Sequence, residues 1–125
     1  MVGELRERVR EHESRIRAMF DGIAPEYDRL NRTLSFGQDV LWRRAAARRA
    51  RLMPAEVALD IGVGTGDLAF ILLRLSAPGS RVVGVDLAPR MLAVAGDKAA
   101  RAGLSRRLAF VRASVLRLPI GDRSV

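Results

Sequence analysis

Cysteine is absent from the 125 residues, which excludes disulfides and thiolate-ligated zinc. A single histidine, His12, leaves no material for a histidine-built metal site or a Ser-His-Asp triad. No metal is therefore expected. Lysine is almost missing: all of the 22 basic residues are arginine except Lys98. No apolar run approaches the ~20 residues that a transmembrane helix needs. Residues Met1–Arg10 alternate charges and lack the apolar core of a secretory signal. A cytoplasmic protein is the expectation.

What is present suits a globular chain, with 49% hydrophobic and 29% charged residues. The net charge of +8 is spread evenly. Up to Met53 there are 12 basic and 8 acidic residues, and beyond it 10 and 6. Interspersed charge of this kind reads as a solvated surface, and no nucleic acid partner is expected.

Residues 3–20 form an amphipathic pattern through Leu5, Val9, His12, Ile16 and Met19/Phe20. It predicts a helix with His12 packed on its apolar stripe. Arg6, Arg10 and Arg17 flank the stripe, so the helix suits either an anionic membrane surface or packing on the domain. Phe20–Phe36 reads as short helices and turns. A further helix is expected over Val40–Leu52, with Leu41, Ala45, Arg48/Arg49 and Leu52 on one side and Pro54 ending it. Then the pattern changes. Short apolar runs at Val57–Ile61, Arg81–Val85 and Leu108–Ala113 read as strands, separated by helical stretches at Asp67–Leu75 and Pro89–Ala102. That alternation predicts a parallel sheet.

The most informative stretch is Asp60-Ile61-Gly62-Val63-Gly64-Thr65-Gly66-Asp67. A strand runs through alternating glycines into a helix, and missing side chains let a ligand lie against the backbone. Asp86 ends the next strand, 20 residues beyond Gly66, where a carboxylate can accept both hydroxyls of a ribose. A nucleoside-containing cofactor follows. Gly64-Thr65-Gly66-Asp67-Leu68-Ala69 also spells a dinucleotide fingerprint. However, Asp67 would oppose a pyrophosphate at the helix N-terminus. S-adenosylmethionine carries no phosphate and tolerates those carboxylates, so it is the favoured cofactor. A dinucleotide, or a purely structural turn, stays as the alternative.

The same loop resembles motif I of class I methyltransferases. Tyr27-Asp28-Arg29-Leu30-Asn31-Arg32-Thr33-Leu34-Ser35-Phe36-Gly37-Gln38-Asp39-Val40-Leu41-Trp42 resembles, more specifically, the N-terminal signature of the ubiquinone/menaquinone biosynthesis C-methyltransferases. Met19–Glu26, Asp86–Leu92 and Leu118-Pro119-Ile120 also fit, so the likeness runs from about residue 15 to the end. It departs at Leu30, where many members have Met, at Asp39, where many have His, and at Ser114, where an Asp or Asn is usual.

The resemblance implies an α/β, Rossmann-like parallel sheet of the class I S-adenosylmethionine-dependent methyltransferases with N-terminal helices. That fold has seven strands. The chain reaches Val125 where a fourth should begin, so the expectation is an N-terminal half, truncated after the third strand and inactive alone. Residues 1–53 would be a helical cap and 54–125 the first half of the methyltransferase domain. The implied reaction moves a methyl group from S-adenosylmethionine to a ring carbon of demethylmenaquinol or a polyprenyl benzoquinol. The implied partner is thus a small-molecule polyprenyl quinol, with peripheral contact at the inner membrane face. Asp60, Gly62, Gly64, Thr65, Asp86, Ser114 and Val115 are the implied cofactor residues. Tyr27, Asp28 and Asn31 are the catalytic candidates, and no general base is assigned. The alternatives are a methyltransferase with another small-molecule or RNA acceptor, a dinucleotide-binding oxidoreductase, or a non-catalytic nucleic-acid module.

Overall fold

The computed structural model describes residues 1–125. Three helices come first: α1 (Val2–Ile23), α2 (Tyr27–Leu34) and α3 (Gln38–Arg49). Pro25 sits in the single 3-10 turn, Ala24–Glu26, that joins α1 to α2. There its missing N–H costs nothing. The remainder alternates strand and helix: β1 (Val57–Ile61), α4 (Asp67–Leu75), β2 (Arg81–Asp86), α5 (Pro89–Arg101) and β3 (Leu108–Arg112). The strands form one parallel sheet in the order β1-β2-β3.

Strand β2 is central, and its Val82 and Val85 are each 1% exposed. Strand β1 is an edge, and its Ile61 is half exposed. The core gathers Val82 and Leu108 of the sheet, Ala69, Leu72 and Leu73 of α4, and Ala99 of α5. Fully burying one side chain such as Leu73 contributes about 1.5–3 kcal/mol. Gly84 leaves room for the loop after β1: a Cβ there would lie 2.8 Å from Val63 Cγ2. Val63 therefore plugs the glycine loop into the centre of the sheet.

The N-terminal helices depart from their hydrophobic patterns. Helix α1 buries no residue, and His12, Leu5 and Met19 are exposed. Only its C-terminal half, through Ile16, Phe20 and Ile23, meets the domain. His12 is solvated, not packed. Helix α3 buries Asp39 and Ala47, while Leu41 and Trp42 are each 63% exposed. The predicted apolar side is the wrong one, because the inner face carries Asp39, Arg43 and Ala47, one per turn. An ion pair satisfies that face: Arg43 Nη1 lies 2.5 Å from Asp39 Oδ2. Helix α3 also ends at Arg49, before Pro54. There the chain is drawn to the end of α4, where the Ser76 hydroxyl accepts from the Leu52 N–H at 2.9 Å.

Candidate functional site

The loop after β1 is held by its own hydrogen bonds. The Gly62 and Val63 N–H groups both donate to the Val85 carbonyl, at 2.8 and 3.0 Å. The Gly64 N–H donates to Asp86 Oδ2 at 2.8 Å, and the Gly66 N–H to the Val63 carbonyl at 3.0 Å. Gly62, Gly64 and Gly66 all have positive φ, a conformation that favours glycine. The loop N–H groups are thus largely committed, and Gly62 and Gly64 offer a ligand bare backbone, whereas the Gly66 carbonyl accepts the Phe70 N–H of α4 at 2.9 Å. An anion cradle would need the reverse arrangement.

Asp86 ends β2 with both oxygens engaged, since Oδ1 accepts the Ala88 N–H at 2.9 Å. A carboxylate has about four acceptor sites, so two remain. Asp86 also lines a cavity of about 230 Å³ together with Gly62, Gly64, Leu87, Met91 and Val115, with Ile16, Phe20 and Tyr27 of the N-terminal helices on its other side. A polar cavity of about 180 Å³ adjoins it at Gly62, Gly64 and Tyr27 and is bordered by Asp60, Thr65, Asp67 and Arg43. Tyr27 borders both, its ring edge-on to Phe20 at 6.1 Å.

The sequence candidates divide accordingly. Gly62, Gly64, Asp86, Val115 and Tyr27 surround the apolar cavity, and Asp60 and Thr65 line the polar one. The Thr65 hydroxyl is buried and donates to Asp28 Oδ1 at 2.5 Å, turned away from the apolar crevice. Ser114 does not line the cavity; its hydroxyl donates to Glu13 Oε1 of α1. Asp28 and Asn31 border neither cavity.

Sequence reading missed Arg43 and Lys98, and it gave Asp67 no partner. Lys98 Nζ lies 2.6 Å from Asp28 Oδ2 and 2.5 Å from Asp67 Oδ1. The Arg43 guanidinium lies 3.7 Å from Asp67 Oδ2. The signal available was Lys98 itself, the one lysine in an arginine chain.

These charges set the titration. Burial works to raise the Asp28 carboxyl. Hydrogen bonds from Lys98 and Thr65, with the charges of Lys98 and Arg43, outweigh it and hold Asp28 below the ordinary carboxylate value. At Asp39 burial again works to raise the carboxyl, and the Ser35 and Arg43 hydrogen bonds with the Arg43 charge outweigh it and hold the group low. Asp60 goes the other way: burial first, then the Asp86 charge, pushes it up. Asp28 and Asp39 keep their charge in the folded chain below the ordinary value of 3.8. Their stabilisation is complete above that value and disappears as pH falls through their lowered ones. The N-terminal helices are therefore expected to loosen first on acidification below about pH 4, in the range of free aspartate. Amide exchange followed from pH 6 to 3 checks this, and early loss of the strand amides would contradict it.

The comparisons with known proteins agree with this layout. A demethylmenaquinone methyltransferase of Thermus thermophilus is 51% identical over 104 residues, 83% of this chain and 46% of that protein. The ubiquinone/menaquinone biosynthesis C-methyltransferase UbiE of Geobacter sulfurreducens is 41% identical, over 92% of this chain and 45% of its own length. The chain thus spans about half the length of the curated relatives it matches. Among solved structures, one from Methanococcus maripaludis superposes with a TM-score of 0.67 at 24% identity, covering 82% of this chain and 45% of that one. A SAM dependent methyltransferase from Aquifex aeolicus gives 0.58 at 20% identity, covering 66% of this chain and 44% of that one. Both likenesses show a shared class I, Rossmann-like fold. With the glycine loop, Asp86 and the Tyr27–Trp42 stretch in place, and with residues 8–125 matching it, the chain belongs to the ubiE/COQ5 methyltransferase family.

Proposed function

We propose that the crevice between the Gly62–Gly66 loop and Asp86 binds S-adenosylmethionine, and that the protein methylates a ring carbon of a polyprenyl quinol, either demethylmenaquinol or its benzoquinol counterpart. One observation carries this reading. The Asp86 carboxylate stands at the edge of an apolar cavity whose floor is bare glycine backbone, while carboxylates rather than free N–H donors surround the loop. Such a site suits a nucleoside and a cationic group and repels a pyrophosphate.

In this reading Asp86 holds the ribose hydroxyls, and Leu87, Met91 and Val115 enclose the adenine side. Ser114 flanks that side through its tie to Glu13. The polar cavity takes the amino-acid end: Asp60 faces the ammonium, and Arg43 is the nearest cation for the carboxylate. The cofactor supplies an electrophilic methyl group on a sulfonium. The chain's own part is to bind, orient and exclude water, so that the acceptor carbon meets the methyl group in line. Tyr27 of the helical cap, residues 1–53, closes over the cofactor domain, residues 54–125. Asn31 remains the candidate to polarise the quinol. Asp28 is already committed to Lys98 and Thr65.

No helix is long and apolar enough to cross a membrane. The exposed α1 residues Leu5, Arg6 and Arg10 suit peripheral docking on an anionic surface, where a lipid-soluble quinol resides. Calorimetry of the chain with S-adenosylhomocysteine and with NAD tests the cofactor. Binding of the first alone is expected, and binding of NAD alone would replace the reading with a dinucleotide one.

A further inference from the structure

We propose that Lys98 is a positioning residue: it ties α2 to the glycine loop and thereby sets Tyr27 over the cofactor cavity. The inference rests on the reading of the Gly62–Asp86 crevice as a cofactor site. Lys98 lies on α5, and its ammonium, 5.4 Å from the Phe70 ring centroid, reaches three oxygens, one from α2 and two from the junction of the glycine loop with α4. These are Asp28 Oδ2 of α2 at 2.6 Å, Asp67 Oδ1 at the start of α4 at 2.5 Å, and Thr65 Oγ1 of the loop at 3.3 Å. An ammonium has three donors, so the arrangement is complete.

The geometry also accounts for the residue type. Every other cation in the chain is arginine. A guanidinium is a planar fork suited to one carboxylate, whereas a compact ammonium can serve three acceptors that diverge around it. The side chain is 24% exposed, and its partners Asp28 and Asp67 are 30% and 21% exposed, so water screens the group only partly.

The consequence passes through one peptide unit. Asp28 is anchored by Lys98 and by the Thr65 hydroxyl, and Tyr27, next to it, borders both cavities. The tie extends outward from Asp67 to Arg43, and from Arg43 to Asp39 and the Ser35 hydroxyl. Both α2 and α3 are therefore referenced to the loop by one charged chain. Lys98 touches neither cavity itself, so its effect on binding must pass through Tyr27 and the loop.

The test is amide exchange on the 125-residue chain without cofactor, joined to calorimetry with S-adenosylhomocysteine. Lys98→Met is expected to speed exchange in residues 27–34 and 38–49 by about tenfold or more, the shift expected from losing one hydrogen bond to a charged group. The β2 and β3 amides keep the parent's rates, and cofactor affinity falls by a similar factor. Lys98→Arg restores the charge but not the three-way geometry, and is expected to recover part of both. If Lys98→Met does not fold, Asp28→Asn serves, because its amide oxygen keeps the bond from Thr65 while its NH2 group cannot accept from Lys98. Unchanged exchange in α2 and α3, or equal acceleration everywhere, overturns the proposal. A loosened cap with parental affinity overturns the positioning role as well. Failure of the parent to bind S-adenosylhomocysteine overturns the cofactor reading instead, and the exchange data still decide whether Lys98 is the tie.

Discussion

Gly66→Ala is expected to destabilise the chain by about 2–5 kcal/mol, the sum of two separable costs. Gly66 caps α4 with φ 90° and ψ 6°, a left-handed conformation that costs an L residue roughly 1–2 kcal/mol. The added Cβ would also lie 3.0 Å from Phe70 Cε2, 3.1 Å from Phe70 Cζ and 3.5 Å from Ala95 Cβ. Phe70 and Ala95 are buried, so neither moves freely, and overpacking of this kind costs roughly 1–3 kcal/mol more. Gly103→Ala is the control. Its φ is 69°, but nothing lies within 4 Å of the new Cβ, so only the backbone cost applies. Urea unfolding of the two variants measures the difference. Equal midpoints would show that Phe70 gives way and that the packing half of the argument is wrong.

Asp86→Ala is expected to weaken S-adenosylhomocysteine binding by about ten- to a hundredfold, the range for losing a hydrogen bond to a charged group. The loss has two sources. The ribose loses its acceptor, and the Gly64 and Ala88 N–H groups lose theirs at 2.8 and 2.9 Å. The loop under the cofactor then loosens where it must be firm. Asp86→Asn retains one acceptor oxygen and is expected to fall between parent and alanine variant. It also removes the charge that helps to push Asp60 up, so Asp60 ionises at lower pH in that variant. Titration calorimetry of the three proteins decides the matter. Equal affinity for parent and alanine variant would remove Asp86 from the site.

Much of the α/β part was legible because its signals are local. Val57–Ile61 and Asp67–Leu75 lie where apolar runs and the glycine loop put them, and Pro89 opens α5 as its fixed φ favours. The cap was less legible. Helix α3 buries an acid–base pair and an alanine rather than its leucine and tryptophan, and hydrophobic periodicity is blind to a face satisfied by charge. His12 lies on a periodic stripe, yet it is exposed, as is all of the N-terminal half of α1 but Val9. Their places in the motifs make Thr65 and Ser114 expected cofactor contacts. Their hydroxyls have partners, Asp28 and Glu13, that lie 37 and 101 residues away.

The sequence by itself determined the strand–glycine loop–helix unit, the acidic end of the second strand and the membership of a methyltransferase family. Each depends on a few consecutive residues whose backbone needs are specific. The tertiary structure alone decided which charges meet. Lys98 follows Asp28 by 70 residues and Asp67 by 31, and only the packing of α2, α4 and α5 around the loop brings their atoms within hydrogen-bonding distance. Spacing along the chain holds no record of such a meeting, because it arises from where three helices end and how they pack on one sheet.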